Sequence, residues 1–370
     1  NHLSDFRITA IGKHSSSKTI IIGYDNGNID LIQNEKVYNV PGIKLASLSG
    51  SKTINSFQAN GNFIYVNTGF GIVVLDPRKK EIKDTYYPST TEGIVGSVFL
   101  NDTLYALTST KLLKCRATNP AISNAAYWTT DLQVPELDNE TASYGDINKW
   151  QNELIIAKLT TVYANDTIMR YANNLYSPWL SNGGYLEFNG MKIIQNKFYL
   201  MGIDFISSKE DWTTESFILN NYPFGPVNAN TVDVIEDKIW IGDLNFGLLE
   251  REFDGKLIRH NFEGPKRSEA YAMKWHKGKM IIVPGNNSEI SPSYTEAGVM
   301  IFENEKWSYV GGNDPKWANK NIWDLGAVSV NPTNDREIAV GGLSMLPLSL
   351  VSTEGHVVDT FSKYNSTLEE

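Results

Sequence analysis

Apolar and polar residues alternate along this chain in short runs that never lengthen into a helical stripe. One arrangement recurs: an alternating apolar strand, a short polar connector, and a second strand of three or four apolar residues closing on a turn. Its clearest copies are Thr19–Ile32, Asn62–Leu75, Thr103–Lys114 and Lys238–Glu250, and weaker ones begin at Glu153, Lys197, Lys279 and Glu337. The last strong apolar residues of the leading strands are Ile22, Val66, Leu107, Ile156, Leu200, Ile241, Ile282 and Val340, spaced by 44, 41, 49, 44, 41, 41 and 58 residues. A period of two is strand periodicity, because successive side chains on a strand leave opposite faces.

Each copy follows another strand through a hairpin tip of turn-forming residues, as at Asn60-Gly61, Asn101-Asp102 and Glu236-Asp237. A further apolar or aromatic run closes most units: Lys36–Val40, Ile82–Tyr87, Tyr127–Thr130, Leu175–Leu180, Ser216–Leu219, Leu257–Phe262 and Trp307–Val310. Four short strands every ~40–50 residues predict an all-β fold, a β-propeller of four-stranded antiparallel blades. Eight repeats allow eight blades, and the stretched last interval leaves seven or eight open. No linker or charge run interrupts the series, so residues 1–370 read as a single propeller domain. An irregular β-sandwich is the competing all-β arrangement. Rossmann and TIM architectures are excluded, since no stretch longer than a dozen residues holds helical periodicity.

Composition sharpens this picture. The 36 asparagines outnumber lysine and arginine together, as suits a chain with many tight turns. A net charge of −9 argues against a duplex nucleic-acid binder, which needs a basic footprint. The single cysteine, Cys115, excludes an intramolecular disulfide and a four-cysteine zinc site. The longest apolar runs, such as Ile20–Gly23 and Gly71–Leu75, fall far short of the ~20 residues that cross a bilayer.

Chemistry is sparse. Residues just before the innermost strand of each blade should crowd around the propeller axis, and those positions hold Asn55, Glu92, Asp146, Asn189, Asn230, Glu269 and Asp324, with Tyr144, Tyr271 and Trp323 alongside. Carboxylates converging on a funnel suit a cation, a sugar or acid–base work; the same residues also suit ordinary turns. The five histidines show no metal-binding spacing, no nucleophile elbow or phosphate loop occurs, and neither metal nor cofactor is expected. Asp25-Asn26-Gly27-Asn28 reads as a type I′ hairpin turn rather than a calcium loop, which would need a downstream glutamate. Arg78, Lys79, Lys80 and Lys83 form the one obvious basic cluster.

Three segments carry a family resemblance: 25–32 (DNGNIDLI), 50–55 (GSKTIN) and especially 70–87 (FGIVVLDPRKKEIKDTYY). They resemble the N-terminal propeller of PorZ-type proteins of Bacteroidetes, within the wider group of two-component regulator propellers. The terminal 365–368 (NSTL) resembles the point where such proteins pass into a second propeller. The resemblance implies a non-enzymatic, extracytoplasmic module of a longer protein, belonging to the type IX secretion apparatus. Its implied partners are the sortase PorU with PorV and PorQ in an outer-membrane attachment complex, and lipopolysaccharide. Family propellers are described as seven-bladed, against eight repeats here. Asp102-Thr103-Leu104 and Asp166-Thr167-Ile168 are similar to O-glycosylation sites of exported Bacteroidetes proteins, which makes Thr103 and Thr167 candidates. The acidic net charge repels lipopolysaccharide at long range, so such a contact needs the local basic cluster.

The leading expectation is a docking scaffold for protein partners, with a surface glycan as a further ligand. A periplasmic oligosaccharide sensor of a two-component regulator is the first alternative, and a propeller lyase or glycosidase the second.

Overall fold

The computed structural model describes residues 2–180, 186–214, 216–252, 254–260, 264–285, 291–318, 320–342 and 348–367. The described residues are almost entirely strands and turns. They form eight four-stranded antiparallel sheets and one two-stranded ribbon, and the four strands of each large sheet are neighbours in sequence order. This is the meander of a propeller blade. Each of the eight leading strands read from the repeat pattern is the second strand of its sheet.

The chain separates into two compact units, residues 1–260 and 261–370. The first unit holds six sheets, numbered here in chain order: 8–39, 54–86, 96–130, 142–180, 188–219 and 229–260. The second holds the seventh (272–311) and the eighth (325–361).

Within each unit hydrophobic cores lie between successive sheets, and the period-two alternation explains how. In the second sheet Ile64 and Val66 pack toward Ile21, Ile29 and Leu31 of the first, while Tyr65, between them in sequence, joins Leu104, Ala106 and Leu113 of the third. The same division recurs between the third and fourth sheets around Leu107 and Ile156, between the fourth and fifth around Trp150 and Phe198, and between the fifth and sixth around Met201 and Ile241. In the second unit Ile281, Val299 and Val340 build one core shared by both its sheets. Middle strands are therefore apolar on both faces and read as near-continuous runs, such as Gly71–Asp76, in which Gly71 to Leu75 are buried.

The asparagine surplus has a structural use. Hairpin tips Asn34-Glu35, Asn101-Asp102, Gln151-Asn152, Asn173-Asn174, Gln195-Asn196 and Glu236-Asp237 have positive φ at both central residues. That is the type I′ geometry, whose twist matches the flanking strands and which asparagine tolerates. The turn at 25–28 departs from expectation: only Gly27 has positive φ (82°), so it is not type I′. The outer strand of the third sheet is also shorter than its apolar run suggests. Ala125–Tyr127 winds into a 3-10 turn capped by the Asn124 side chain, leaving only Thr129–Thr130 to pair.

Candidate functional site

The innermost strands of the first unit share a device at their entry. Register shifts leave one extra residue at Thr9, Asn55, Gly145, Asn189 and Asn230 in the first, second, fourth, fifth and sixth sheets. In the third sheet Val95 N donates to Leu107 O while Gly96 also pairs with Leu107, two residues against one. Such β-bulges free a residue from the ladder and re-aim its side chain. The re-aimed groups staple one blade to the next: Thr9 Oγ1 donates to Ile54 O at 2.7 Å, and Asn55 Nδ2 to Ile94 O at 2.8 Å. Asn189 Nδ2 reaches Asn228 Oδ1 at 2.8 Å, and Ser56 Oγ reaches Val95 O at 2.7 Å.

The residue after each bulge is Ala10, Ser56, Gly96, Asp146, Gly190 or Thr231. Small residues are required where strands converge. A Cβ on Gly190 would sit 2.5 Å from Asn230 O, and one on Gly96 would sit 2.9 Å from the Ile147 side chain. Asp146 is the one charged residue in this series.

Asp146 opens onto a cleft of about 460 Å³ within the first unit, lined also by Thr9, Asn55, Ser56, Phe188 and Asn189. Its carboxylate accepts from Ile147 N at 2.7 Å and, more weakly, from Asn148 Nδ2 at 3.4 Å. Burial pushes its pKa up to about 7, opposed only by the Ile147 hydrogen bond. Other charges line the inner strands. Lys192 of the fifth sheet is pushed down by burial, with Asp233 favouring its charge and Lys13 opposing it. Lys13 and Asp233 pair at 3.2 Å.

The structure gathers Asn55, Asp146 and Asn189 at this cleft, and places the remaining predicted ring residues elsewhere. Tyr144 is a correction: its ring is buried in the core between the third and fourth sheets, and its hydroxyl donates to Pro135 O. Glu92 accepts from Thr110 and pairs with Lys111 at 3.1 Å; burial opposes its charge, yet these hydrogen bonds hold its carboxyl below the usual range. Asn230 is the exposed bulge residue of the sixth sheet.

Glu269, Tyr271, Trp323 and Asp324 belong to the second unit. Glu269 pairs with Arg267 at 3.3 Å, and Tyr271 is exposed. Trp323 is half-buried, with its ring 5.4 Å from that of Tyr294. Asp324 is also corrected: it is buried and accepts backbone N–H bonds from Ser293, Tyr294 and Thr295, so it is a structural cap.

The basic cluster forms a corner of the second sheet whose charges are engaged locally. Lys80 lies 4.1 Å over the Tyr38 ring and Lys83 4.0 Å over Phe63, Lys79 pairs with Glu81 at 3.6 Å, and Arg78 donates to Asn62. Thr103 begins a strand beside a 520 Å³ hollow that it lines with Lys114 and Arg116. Thr167 begins another strand, next to Asp166, whose carboxylate accepts from Thr160 N and Phe188 N.

Residues 1–129 match the family model for the TSS9, PorZ, N-terminal beta-propeller domain. The N-terminal third is thus similar to the PorZ N-terminal propeller family. PorZ of Porphyromonas gingivalis, an essential bacterial surface component of the type IX secretion system, superposes on the whole chain with a TM-score of 0.74 at 18% identity. The chain covers 48% of that PorZ structure, about half its length. The extracellular domain of a putative hybrid two-component system from B. thetaiotaomicron matches with a TM-score of 0.50 at 11% identity, over 97% of this chain and 53% of that one. A Cps50 β-propeller domain from Myceliophteria thermophila matches at 0.51 and 12%, over 76% and 95%. No curated protein matches. The fold is thus a multi-blade, PorZ-like propeller scaffold. Among the described residues no helix is long and apolar enough to cross a membrane.

Thr9, Ser56, Gly145, Phe188 and Gly190 of the cleft escaped the sequence reading. Aligning the repeats on their second strands exposes the signal: a uniformly small position is broken once, by Asp146.

Proposed function

We propose that this chain is a non-catalytic docking module of an extracytoplasmic secretion and attachment assembly. Its blades hold recognition surfaces for outer-membrane protein partners, with lipopolysaccharide as a further ligand. The observation that carries this reading is the PorZ N-terminal propeller match over residues 1–129. The chemistry of the carboxylates agrees with it. Glycoside hydrolysis needs two cooperating carboxyl groups about 5–9 Å apart. Among the described residues no second carboxylate contributes to the titration of Asp146, Glu269 is held by Arg267, and Asp324 is committed to backbone amides.

The test is affinity capture from outer-membrane extracts of the bacterium that makes the protein, with capture on an unrelated acidic propeller as the control. Recovery of secretion-complex subunits above that control is expected. Equal recovery on both would sink the reading.

A second reading, an oligosaccharide sensor, is favoured by the fold likeness to the B. thetaiotaomicron extracellular domain. It predicts a rise in melting temperature with one member of an oligosaccharide panel, lost on Trp323→Ala; an unresponsive panel argues against it.

A further inference from the structure

The hydrogen bonds that staple the blades also decide what the cleft offers a ligand. The Thr9 and Ser56 hydroxyl protons point to Ile54 O and Val95 O, and the Asn55 and Asn189 amides each direct an N–H at a neighbouring strand. Ser56 Oγ already accepts from Asn67 Nδ2 at 2.9 Å, but among the described residues no donor reaches Asn55 Oδ1 or Asn189 Oδ1, and Asn55 is exposed and Asn189 half-buried. The Asp146 carboxylate faces the same cleft with hydrogen bonds only from its own strand and no cationic partner. A blade-entry position that is small in the five other sheets of this unit thus carries a lone acid, among open oxygen acceptors and with no lysine or arginine in the lining.

We propose that this cleft binds a primary ammonium group, with Asp146 as its counter-ion and the Asn55, Asn189 and Thr9 oxygens as further acceptors. An ammonium has three donors and no acceptor, the complement of this lining. Among the described residues no cluster of three or more histidine, cysteine or acidic side chains is arranged to hold a metal ion. One carboxylate with neutral oxygens therefore suits a singly charged organic cation better than a divalent one.

Three charged residues lie on the strands packed against that of Asp146: Glu153, which pairs with Arg170, and Lys158 on the paired strand of its own sheet, and Lys192 on the inner strand of the fifth. Lys149 is on its own strand, and the inner strand of the third sheet carries no charge. None of them contributes to the titration of Asp146, so ligand and proton compete there directly. The inference rests on reading the module as a recognition scaffold, but amine binding and partner capture are separate readouts and either can fail alone.

The test is calorimetric titration of the whole chain with n-butylammonium chloride and with an N-acetylated Gly-Lys-Gly amide, using the Nε-acetylated peptide as control. Binding of either amine, with none of the control, is expected at about pH 8. Peptide binding alone points to a lysine of a protein partner, and butylammonium binding alone to a free amine; both support the site. Affinity should fall roughly thirtyfold from about pH 8 to pH 5.5, as the carboxylate takes up its proton. Asp146→Ser installs the residue of the second sheet at this position and should keep the fold while costing at least about tenfold in affinity. Asp146→Asn serves as the isosteric check. Absence of binding, binding of the acetylated control, or binding that survives both substitutions overturns the proposal.

Discussion

Lys13 Nζ lies 3.2 Å from Asp233 Oδ2, joining the innermost strand of the first sheet to that of the sixth. Successive inner strands of the first unit pack in chain order, so this pair shows that they curl about a common interior. Lys13 is largely exposed, and an exposed pair contributes little. Lys13→Ala should change stability by less than about 1 kcal/mol, whereas Asp233→Asn should drive the pKa of Lys192 further down by removing its favourable charge. Lysine Cε chemical shifts followed against pH read this; an unchanged Lys192 titration would refute it.

Asp146 gives stability a pH dependence of definite sign. Its folded pKa, about 7, exceeds its ordinary value of 3.8, so between these values the folded state holds a proton that the unfolded state releases. Its contribution therefore weakens as pH rises from about 4 to about 7. Asp146→Asn should flatten that slope, as melting temperatures measured across the interval will show. A wild-type curve parallel to the variant's would contradict the assignment.

The stapled bulges predict graded losses. Asn55→Ala removes one side-chain bond to Ile94 O and should cost about 1 kcal/mol. Gly190→Ala pushes a methyl against Asn230 O and should cost about 1–3 kcal/mol. Urea midpoints decide, and an alanine accepted without loss at 190 would mean that the fifth and sixth inner strands are not held at this distance.

Asp324 anchors the second unit through three backbone N–H groups at 2.9, 3.2 and 2.9 Å. Asp324→Ala orphans them in a buried setting and should cost about 2–4 kcal/mol. Asp324→Asn, which keeps one acceptor oxygen, should cost less. Equal, negligible losses in both would return Asp324 to the list of ligand candidates.

Much of the blade architecture was legible before any coordinates. The eight leading strands were found because each middle strand, buried on both faces, must be apolar at consecutive positions and must end in a turn. Hairpin tips such as Asn101-Asp102 declared themselves through residues that accept positive φ. The third sheet's outer strand was overestimated because Tyr127 and Trp128 look like strand residues locally, while Asn124 caps a 3-10 turn instead. Tyr144 and Asp324 were misplaced for a related reason. Composition marks a residue as polar or aromatic but does not show whether its hydroxyl or carboxylate will face a cleft or a backbone amide.

Sequence alone thus determined the repeat and the four-strand unit, since these follow from local periodicity and turn chemistry. Tertiary structure alone decided which polar residues share a space. The bulges at Thr9, Asn55 and Asn189 re-aim side chains that lie up to 180 residues apart, and only the packing of successive inner strands places them in one cleft with Asp146.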